Sequence, residues 1–161
     1  MIHIFDFDLT IWETFSKHGT QIWAKQLIFP LQRISKDEVM DDVGSVCRLR
    51  SGIREYLNYL ALENANIGYI SSGRHWNFDD ELQPSLHLLN LFEIKKYFNS
   101  FTVLAYKTYK KSDFLKNIDD KIIFYDDDSN VLKELSSIPN VLTIDSKIFI
   151  NWNDLIGKKY D

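Results

Sequence analysis

Short apolar runs bounded by polar residues recur along the chain and predict buried β-strands. The first run is I-H-I-F at residues 2–5, and later runs occupy residues 66–70, 101–105, 121–125 and 140–144. They are rich in Ile, Val, Phe and Tyr, which favour strands. Between them, apolar residues recur at helical spacing, most clearly over residues 53–64, 78–91 and 129–135. The alternation predicts an α/β fold, with a parallel sheet of about five strands and helices on both faces.

Residues 13–50 follow neither pattern for long. A helix is predicted over 19–27, although Gly19 and the β-branched Thr20 and Ile22 weaken it. The interpretation is one domain over residues 1–161, with a small cap or lid inserted at about 13–50. A second helical piece is predicted over 91–98, and the C-terminal residues, with Trp152 and Leu155, are expected to pack on the core.

The amino-acid composition excludes few classes of protein, but the net charge limits the kinds of binding partner that are expected. A net charge of −4 gives no general electrostatic reason to bind nucleic acid or an anionic membrane, so neither is expected as a partner. No apolar run approaches the roughly 18–20 residues of a membrane span, and the early acidic residues do not fit a signal peptide. A cytoplasmic monomer or homodimer is expected. Cys47 is the only cysteine and is expected to be a buried thiol.

Two of the predicted strands end in carboxylates. Asp6 and Asp8 follow the first run, and residues two apart in extended chain point to the same side. Asp126, Asp127 and Asp128 follow the run at 121–125. Because such clustered charges repel one another, they predict a divalent cation at this edge of the sheet. The alternative for Asp-x-Asp alone is an ordinary turn at the end of a strand.

The sequence Ser71-Ser72-Gly73-Arg74 follows the run at 66–70. Hydroxyls, exposed backbone N–H groups and a guanidinium can together hold a phosphate, although an ordinary turn is the alternative. Ser71 is the favoured hydroxyl, with Ser72 as the alternative, because a shift of one residue at the end of the strand exchanges them.

These motifs, in this order, resemble the haloacid dehalogenase superfamily of phosphotransferases. Asp6-Phe7-Asp8-Leu9-Thr10 resembles its first motif, D-x-D-x-T, and the continuation through Trp12 is similar to the magnesium-dependent phosphatase branch. Ser71 matches the second motif and the acidic cluster the fourth. The third motif is a lysine at the start of a helix. Spacing to Phe114 places it at Lys110, with Lys107 and Lys111 as alternatives.

The resemblance implies a Rossmann-like three-layer sandwich with a minimal cap, and a phosphatase that hydrolyses phosphate monoesters through an aspartyl-phosphate. Asp6 would be the nucleophile and Asp8 the general acid and base. Ser71 and Lys110 would hold the transferring phosphoryl group. Mg²⁺ would bind to Asp6, to the backbone carbonyl of Asp8, and to Asp126 or Asp127. The expected substrate-binding residues are Thr10, Trp12, Ser72, Gly73 and Arg74.

A phosphorylated small molecule, such as a sugar phosphate, and a phosphoprotein carrying phosphotyrosine are both possible substrates. Two other classes of function remain as alternatives, namely a phosphorylatable aspartate relay and an inactive scaffold that binds Mg²⁺. His75 and His87 are not expected to bind a metal, because their spacing is not that of a histidine metal site on a helix.

Overall fold

The structure is a computed structural model that describes residues 1–74, 79–105 and 109–161. Within these ranges the chain forms ten β-strands and four α-helices. The strands are β1 (Ile2–Phe5), β2 (Trp12–Phe15), β3 (Gln21–Ile22), β4 (Gln32–Ser35), β5 (Glu38–Met40), β6 (Val46–Leu49), β7 (Asn66–Ser72), β8 (Thr102–Ala105), β9 (Ile122–Asp126) and β10 (Val141–Asp145). The helices are α1 (Ile53–Leu62), α2 (Pro84–Leu91), α3 (Lys111–Leu115) and α4 (Ser129–Leu135).

Five strands form a parallel sheet in the order β10-β9-β1-β7-β8, as the alternating pattern predicted. The strand β1 lies in the middle of this sheet. Its Ile2 pairs with Asn66 of β7 on one side and with Ile122 of β9 on the other. The residues that follow β1, β7 and β9 therefore meet at one edge of the sheet, where parallel sheets usually bind ligands.

Both faces of the parallel sheet are covered by helices. Ile2 and Ile4 share a buried cluster with Leu115 of α3 and Leu135 of α4. Phe5, which points to the opposite face, belongs to a second cluster with the buried side of α1 and with α2. Trp152 and Leu155 are buried in that second cluster, as predicted for the C-terminal residues.

The inserted segment forms an antiparallel sheet in the order β3-β2-β6-β5-β4. The helix predicted over 19–27 is wrong. In its place Gln21–Ile22 pairs with β2 across a hairpin, and only Ala24–Gln26 forms a short 3-10 helix. Gly19, with φ +84°, permits the hairpin turn, and the β-branched Ile22 suits the strand. This sheet packs into the same buried cluster as α1 and α2, through residues such as Val39 and Cys47.

Two other predicted helices are shorter than expected. The helix predicted over 78–91 is Pro84–Leu91 in the structure. It begins at Pro84, because proline at the first helical position needs no N–H partner. A 3-10 turn, Asp80–Leu82, precedes it. Phe78 lies outside the described residues. The helical piece predicted over 91–98 is a single 3-10 turn, Lys95–Tyr97. Cys47 is buried, as predicted. Among the described residues, no helix has the length and apolar character needed to cross a membrane.

Candidate active site

The carboxylates that follow β1 and those at the end of β9 meet at the carboxyl edge of the parallel sheet. The Asp6 N–H donates to the Tyr125 carbonyl at 2.9 Å, which continues the pairing of the two strands into the site. Oxygen atoms of Asp6, Asp126 and Asp127 all lie within 4.8 Å of one another. The predicted clustering of these acids is therefore present, because their strands are neighbours in the sheet.

These acids lie in a pocket of about 240 Å³. Its lining residues come from the carboxyl edge of the parallel sheet, from the segment that follows β3, from Tyr109 before α3, and from α3 and α4: Asp6, Asp8, Trp23, Lys25, Ser71, Ser72, Tyr109, Lys111, Asp126, Asp127, Asp128 and Val131. A larger cleft of about 530 Å³ lies beside Leu9, but Glu13 is the single carboxylate in its lining. The smaller pocket is thus the one that collects the predicted chemistry.

Lys111, and not Lys110, faces the acids. Its Nζ donates to Asp6 Oδ1 at 2.8 Å and to Asp126 Oδ2 at 2.6 Å. Lys110 is exposed and precedes the helix with an extended backbone, so its side chain has a different direction. The prediction that Lys110 faces Asp6 is therefore wrong by one residue, because α3 begins at Lys111. Lys107 lies outside the described residues.

Burial dominates the electrostatics of this ion-paired cluster. It raises the pKa of Asp6 to about 6, and the Lys111 ammonium offsets only part of the effect. Burial likewise raises the pKa of Asp126 to about 6, with the charge of Asp6 as the second cause. For Lys111, burial lowers the pKa, but the two carboxylates outweigh it and the net direction is upward. Burial, and then the charge of Asp126, also raises the pKa of Asp127.

Among the described residues, the Lys111 ammonium thus pairs with two of the three clustered carboxylates and neutralises one of the three negative charges. The three carboxylates each offer an oxygen atom as a ligand, and oxygen is the ligand type that Mg²⁺ prefers. The residues present therefore fit a hard divalent cation. The Asp8 side chain is not part of this three-carboxylate group. Binding of a cation by the Asp8 backbone carbonyl stays a prediction from the resemblance.

Asp8 enters the pocket from a strained turn. Leu9 has φ +61°, an unusual value for a residue other than glycine, asparagine or aspartate, and such strain is often found at functional sites. Asp8 Oδ1 accepts hydrogen bonds from the Trp12 indole N–H at 3.2 Å and from the Ala24 N–H at 3.0 Å. Burial raises the pKa of Asp8, and these two hydrogen bonds oppose that rise.

Two predicted substrate-binding residues of the first motif are buried away from the pocket. Trp12 is fully buried and contacts Asp8 instead. Thr10 is also fully buried, and its hydroxyl is hydrogen-bonded to that of Ser146 at 3.1 Å. Direct contact of either side chain with substrate is therefore excluded by burial. Both residues shape the turn that carries Asp8.

Arg74 was predicted to bind phosphate, but its guanidinium is occupied by backbone carbonyls. Nε donates to the Lys25 carbonyl at 2.9 Å, Nη1 to the Leu82 carbonyl at 3.2 Å, and Nη2 to the Leu27 carbonyl. Its carbon also lies 5.2 Å from the centre of the Phe29 ring. Arg74 therefore joins the 3-10 helix of the inserted segment to the end of β7 and is not available to a phosphate.

Of the other residues predicted to bind phosphate, the two serines line the pocket, whereas the Gly73 N–H is already hydrogen-bonded within the sheet. Ser71 and Ser72 both line the pocket, since β7 extends through Ser72, so the choice between them stays open. The Gly73 N–H donates to the Ala105 carbonyl at 2.8 Å, so the sheet already uses the backbone group predicted for phosphate. An added Cβ at Gly73 would lie 2.7 Å from Gln83 Oε1, which explains the need for glycine there by packing.

Several residues of the site carried no recognisable signal in the sequence. Trp23 and Lys25 lie in the insertion and Tyr109 precedes α3, yet all three line the pocket. Arg50 supports the turn after Asp8, because its guanidinium donates to the carbonyls of Leu9 at 3.2 Å and Phe149 at 2.8 Å. The positions of these residues depend on tertiary contacts, which the local sequence does not predict.

The chain matches no protein-family model, and a search of curated proteins finds no significant match. The geometry of the site and the order of the motifs therefore carry the functional argument.

Proposed function

We propose that this chain is a Mg²⁺-dependent phosphatase of the haloacid dehalogenase type, built on a Rossmann-like sheet. It would hydrolyse phosphate monoesters through an aspartyl-phosphate on Asp6. The order of the four motifs in the sequence supports this assignment. The same reasoning favours an enzyme over a phosphorylatable relay or an inactive scaffold, because Asp8 adds a second acid beside the nucleophile.

The observation that carries the proposal is the position of Lys111. Its ammonium bridges Asp6 and Asp126 in a pocket that also contains Asp8, Asp127 and Ser71. A purely structural ion pair would not require a further acid and hydroxyls around the same opening. A phosphoryl-transfer site does, since it must neutralise three phosphate oxygens and also move a proton.

The proposed reaction has two steps. In the first, a carboxylate oxygen of Asp6 forms a bond to phosphorus, and the bond from phosphorus to the ester oxygen breaks while Asp8 donates its proton to that oxygen. In the second, Asp8 accepts a proton from water, the water oxygen bonds to phosphorus, and the bond to Asp6 breaks. Lys111 and Ser71 would hold the phosphoryl oxygens throughout.

Asp6, Asp126 and Asp127 would hold the metal ion. When bound, Mg²⁺ would neutralise charge on the phosphate and on the carboxylates around it. Repulsion between the carboxylates adds to the burial that raises the pKa of Asp6 and Asp126, and a bound cation would offset that repulsion.

The pocket sets limits on the substrate. It has about 240 Å³ and opens beside Trp23, whose surface is 43% exposed. That volume suits the phosphate and its nearest atoms, so the rest of the substrate would lie outside. A phosphoprotein carrying phosphotyrosine and a sugar phosphate both meet this condition, and a cytoplasmic location suits either.

The test is phosphate release from p-nitrophenyl phosphate and from a panel of phosphopeptides and sugar phosphates. We expect steady turnover with Mg²⁺, loss of turnover in EDTA, and no turnover for Asp6→Asn. A relay protein would release at most one equivalent of p-nitrophenol, and a scaffold none. Full activity in EDTA, or in Asp6→Asn, would contradict the proposal.

A further inference from the structure

The Asp8 carboxylate accepts hydrogen bonds from two donors, one in the antiparallel sheet and one in the 3-10 helix that follows β3. The Trp12 indole N–H lies 3.2 Å from Asp8 Oδ1, and the Ala24 backbone N–H lies 3.0 Å from the same oxygen. Trp12 is the first residue of β2, and Ala24 begins the 3-10 helix that follows β3. The antiparallel sheet and the helix that follows β3 therefore contact the site through one hydrogen bond each to Asp8.

Both donors bind to the same oxygen, Asp8 Oδ1, and this determines which oxygen can carry a proton. A carboxyl oxygen accepts about two hydrogen bonds, so the two N–H groups occupy Oδ1. A proton carried by Asp8 must then lie on Oδ2. Since Asp8 lines the pocket and Oδ1 is directed to Trp12 and Ala24, Oδ2 is the oxygen left for a ligand there.

We infer that Trp12 and Ala24 are positioning residues, which keep the transferable proton of Asp8 on Oδ2, facing the leaving group. This inference rests on the proposed phosphatase function. When the bond from phosphorus to the ester oxygen breaks, that oxygen takes the proton from Oδ2. The carboxylate that remains keeps both hydrogen bonds at Oδ1, so Oδ2 is ready to accept a proton from water in the second step.

The surroundings make this arrangement rigid. Trp12 is fully buried, with ring centres 4.6 Å from Phe7 and 6.4 Å from Phe92. Ala24 is also fully buried. Because neither donor can move without disturbing the core, Asp8 has a fixed orientation before substrate binds, which favours proton transfer.

The first test is Trp12→Phe, which keeps an aromatic ring and removes the N–H. We would measure kcat/KM with Mg²⁺ for p-nitrophenyl phosphate, phenyl phosphate and an alkyl phosphate. A misplaced acid matters most for a strongly basic leaving group, so we expect a loss of about 10-fold or more for the alkyl phosphate and under about 3-fold for p-nitrophenyl phosphate. The ratio between substrates comes from one sample, so a partly folded variant still gives it.

Trp152→Phe is the matched control. Trp152 is fully buried too, and its indole N–H donates at 3.2 Å to the Thr10 carbonyl, in the same turn but not at Asp8. We expect this variant to lose stability and to change kcat/KM by the same factor for every substrate. The contrast separates an effect on Asp8 from a general effect on the turn.

Ala24→Pro is the second variant, because it removes the other donor. Trp23 already has the extended backbone that a following proline requires, and proline is tolerated at the first position of a helix. We expect the same dependence on the leaving group as for Trp12→Phe. In the Asp8→Asn background, neither change should reduce kcat/KM for phenyl phosphate further, because they act through Asp8.

The outcomes separate the two hypotheses. If the wild-type protein hydrolyses no monoester, the proposed function fails. If the wild type is active but Trp12→Phe and Ala24→Pro lower kcat/KM equally for all leaving groups, the positioning role is wrong and the phosphatase assignment stands.

Discussion

Replacing Lys111 by methionine should reduce both stability and activity, whereas the same change at Lys110 should do neither. The Lys111 side chain is 11% exposed, and its partners Asp6 and Asp126 are 13% and 1% exposed. At 2.8 and 2.6 Å, each contact has a Coulomb energy of about 6 kcal/mol at an effective dielectric constant of about 20, before desolvation is subtracted. Removing the ammonium leaves two buried carboxylates unpaired.

The net loss follows from that unpaired charge. Breaking a buried ion pair by removing one partner costs about 3–5 kcal/mol. For a domain of this size, we expect the melting temperature to fall by on the order of 10 °C. Mg²⁺ should restore part of the loss, since a cation at about 100 times Kd adds about 2.7 kcal/mol to a folded state that binds it. Lys110 is exposed, so Lys110→Met should stay within about 0.5 kcal/mol of wild type.

The measurements are thermal and urea denaturation at pH 7, in EDTA and in Mg²⁺, together with kcat/KM for p-nitrophenyl phosphate. Lys111→Met should lose most of the activity in Mg²⁺ even where its stability is restored, because the phosphoryl oxygens lose their cationic partner. If both methionine variants behave alike, or if Lys110→Met is the more damaging, the assignment of Lys111 is refuted.

Three further predictions concern His3, Arg74 and Asp6. Burial, with the N-terminal charge second, lowers the pKa of His3 from 6.5 to about 4. Because the unfolded His3 binds its proton at higher pH, this residue should lower stability by up to about 3 kcal/mol as pH drops from about 6.5 to below 4. The raised pKa values of Asp6 and Asp126 act in the opposite direction, so the contribution of His3 is measured as the difference between wild type and His3→Gln in denaturation curves. Arg74→Met should cost about 1–3 kcal/mol through carbonyls left without donors, while KM changes less than about 2-fold; a 10-fold rise in KM would restore Arg74 as a phosphate ligand. Beryllofluoride with Mg²⁺ should raise the melting temperature by several degrees, and a shift that survives in Asp6→Ala would place the anion elsewhere.

The sequence was sufficient for the parallel sheet and for its acidic edge. Asp6 and Asp126 each follow a run of apolar residues, so the ends of both strands were visible without any tertiary information. The pairing of Phe5 with Tyr125 then brings the two carboxylates together. A sheet whose strands are buried on both faces has an unambiguous hydrophobic signal, and this is why the prediction succeeded there.

The lysine could not be chosen from the sequence. Lys110 and Lys111 are neighbours at a helix start, and one residue along a helix turns the side chain by about 100°. Which of them faces Asp6 depends on where α3 begins. That position is fixed by the burial of Ser112 and Leu115 against other elements, which spacing to Phe114 does not report.

The secondary structure of the insertion was predicted wrongly for a different reason. Its strands have two to four residues, and every residue of Gln21–Ile22 and Gln32–Ser35 is exposed or half-buried. An alternating pattern needs four or more residues to be recognised, so the hairpin at Gly19 gave no readable period. The same gap led to the error at Arg74, because its partners are carbonyls of Lys25 and Leu27 within that segment.

The contacts of the insertion also bear on how the site opens. The inserted segment is joined to the candidate active site by the hydrogen bond from Ala24 to Asp8, by the guanidinium of Arg74 and by a shared hydrophobic cluster that includes Val39 and Leu49. A lid that swings away would have to break all three, including the buried contacts of Trp12. Such a cost is incompatible with opening at every turnover of the proposed phosphatase, so its substrate would have to reach the acids past Trp23, which lines the pocket and is 43% exposed. In the proposed phosphatase the insertion would therefore be a fixed wall, which orients Asp8 through the hydrogen bond from the Ala24 N–H.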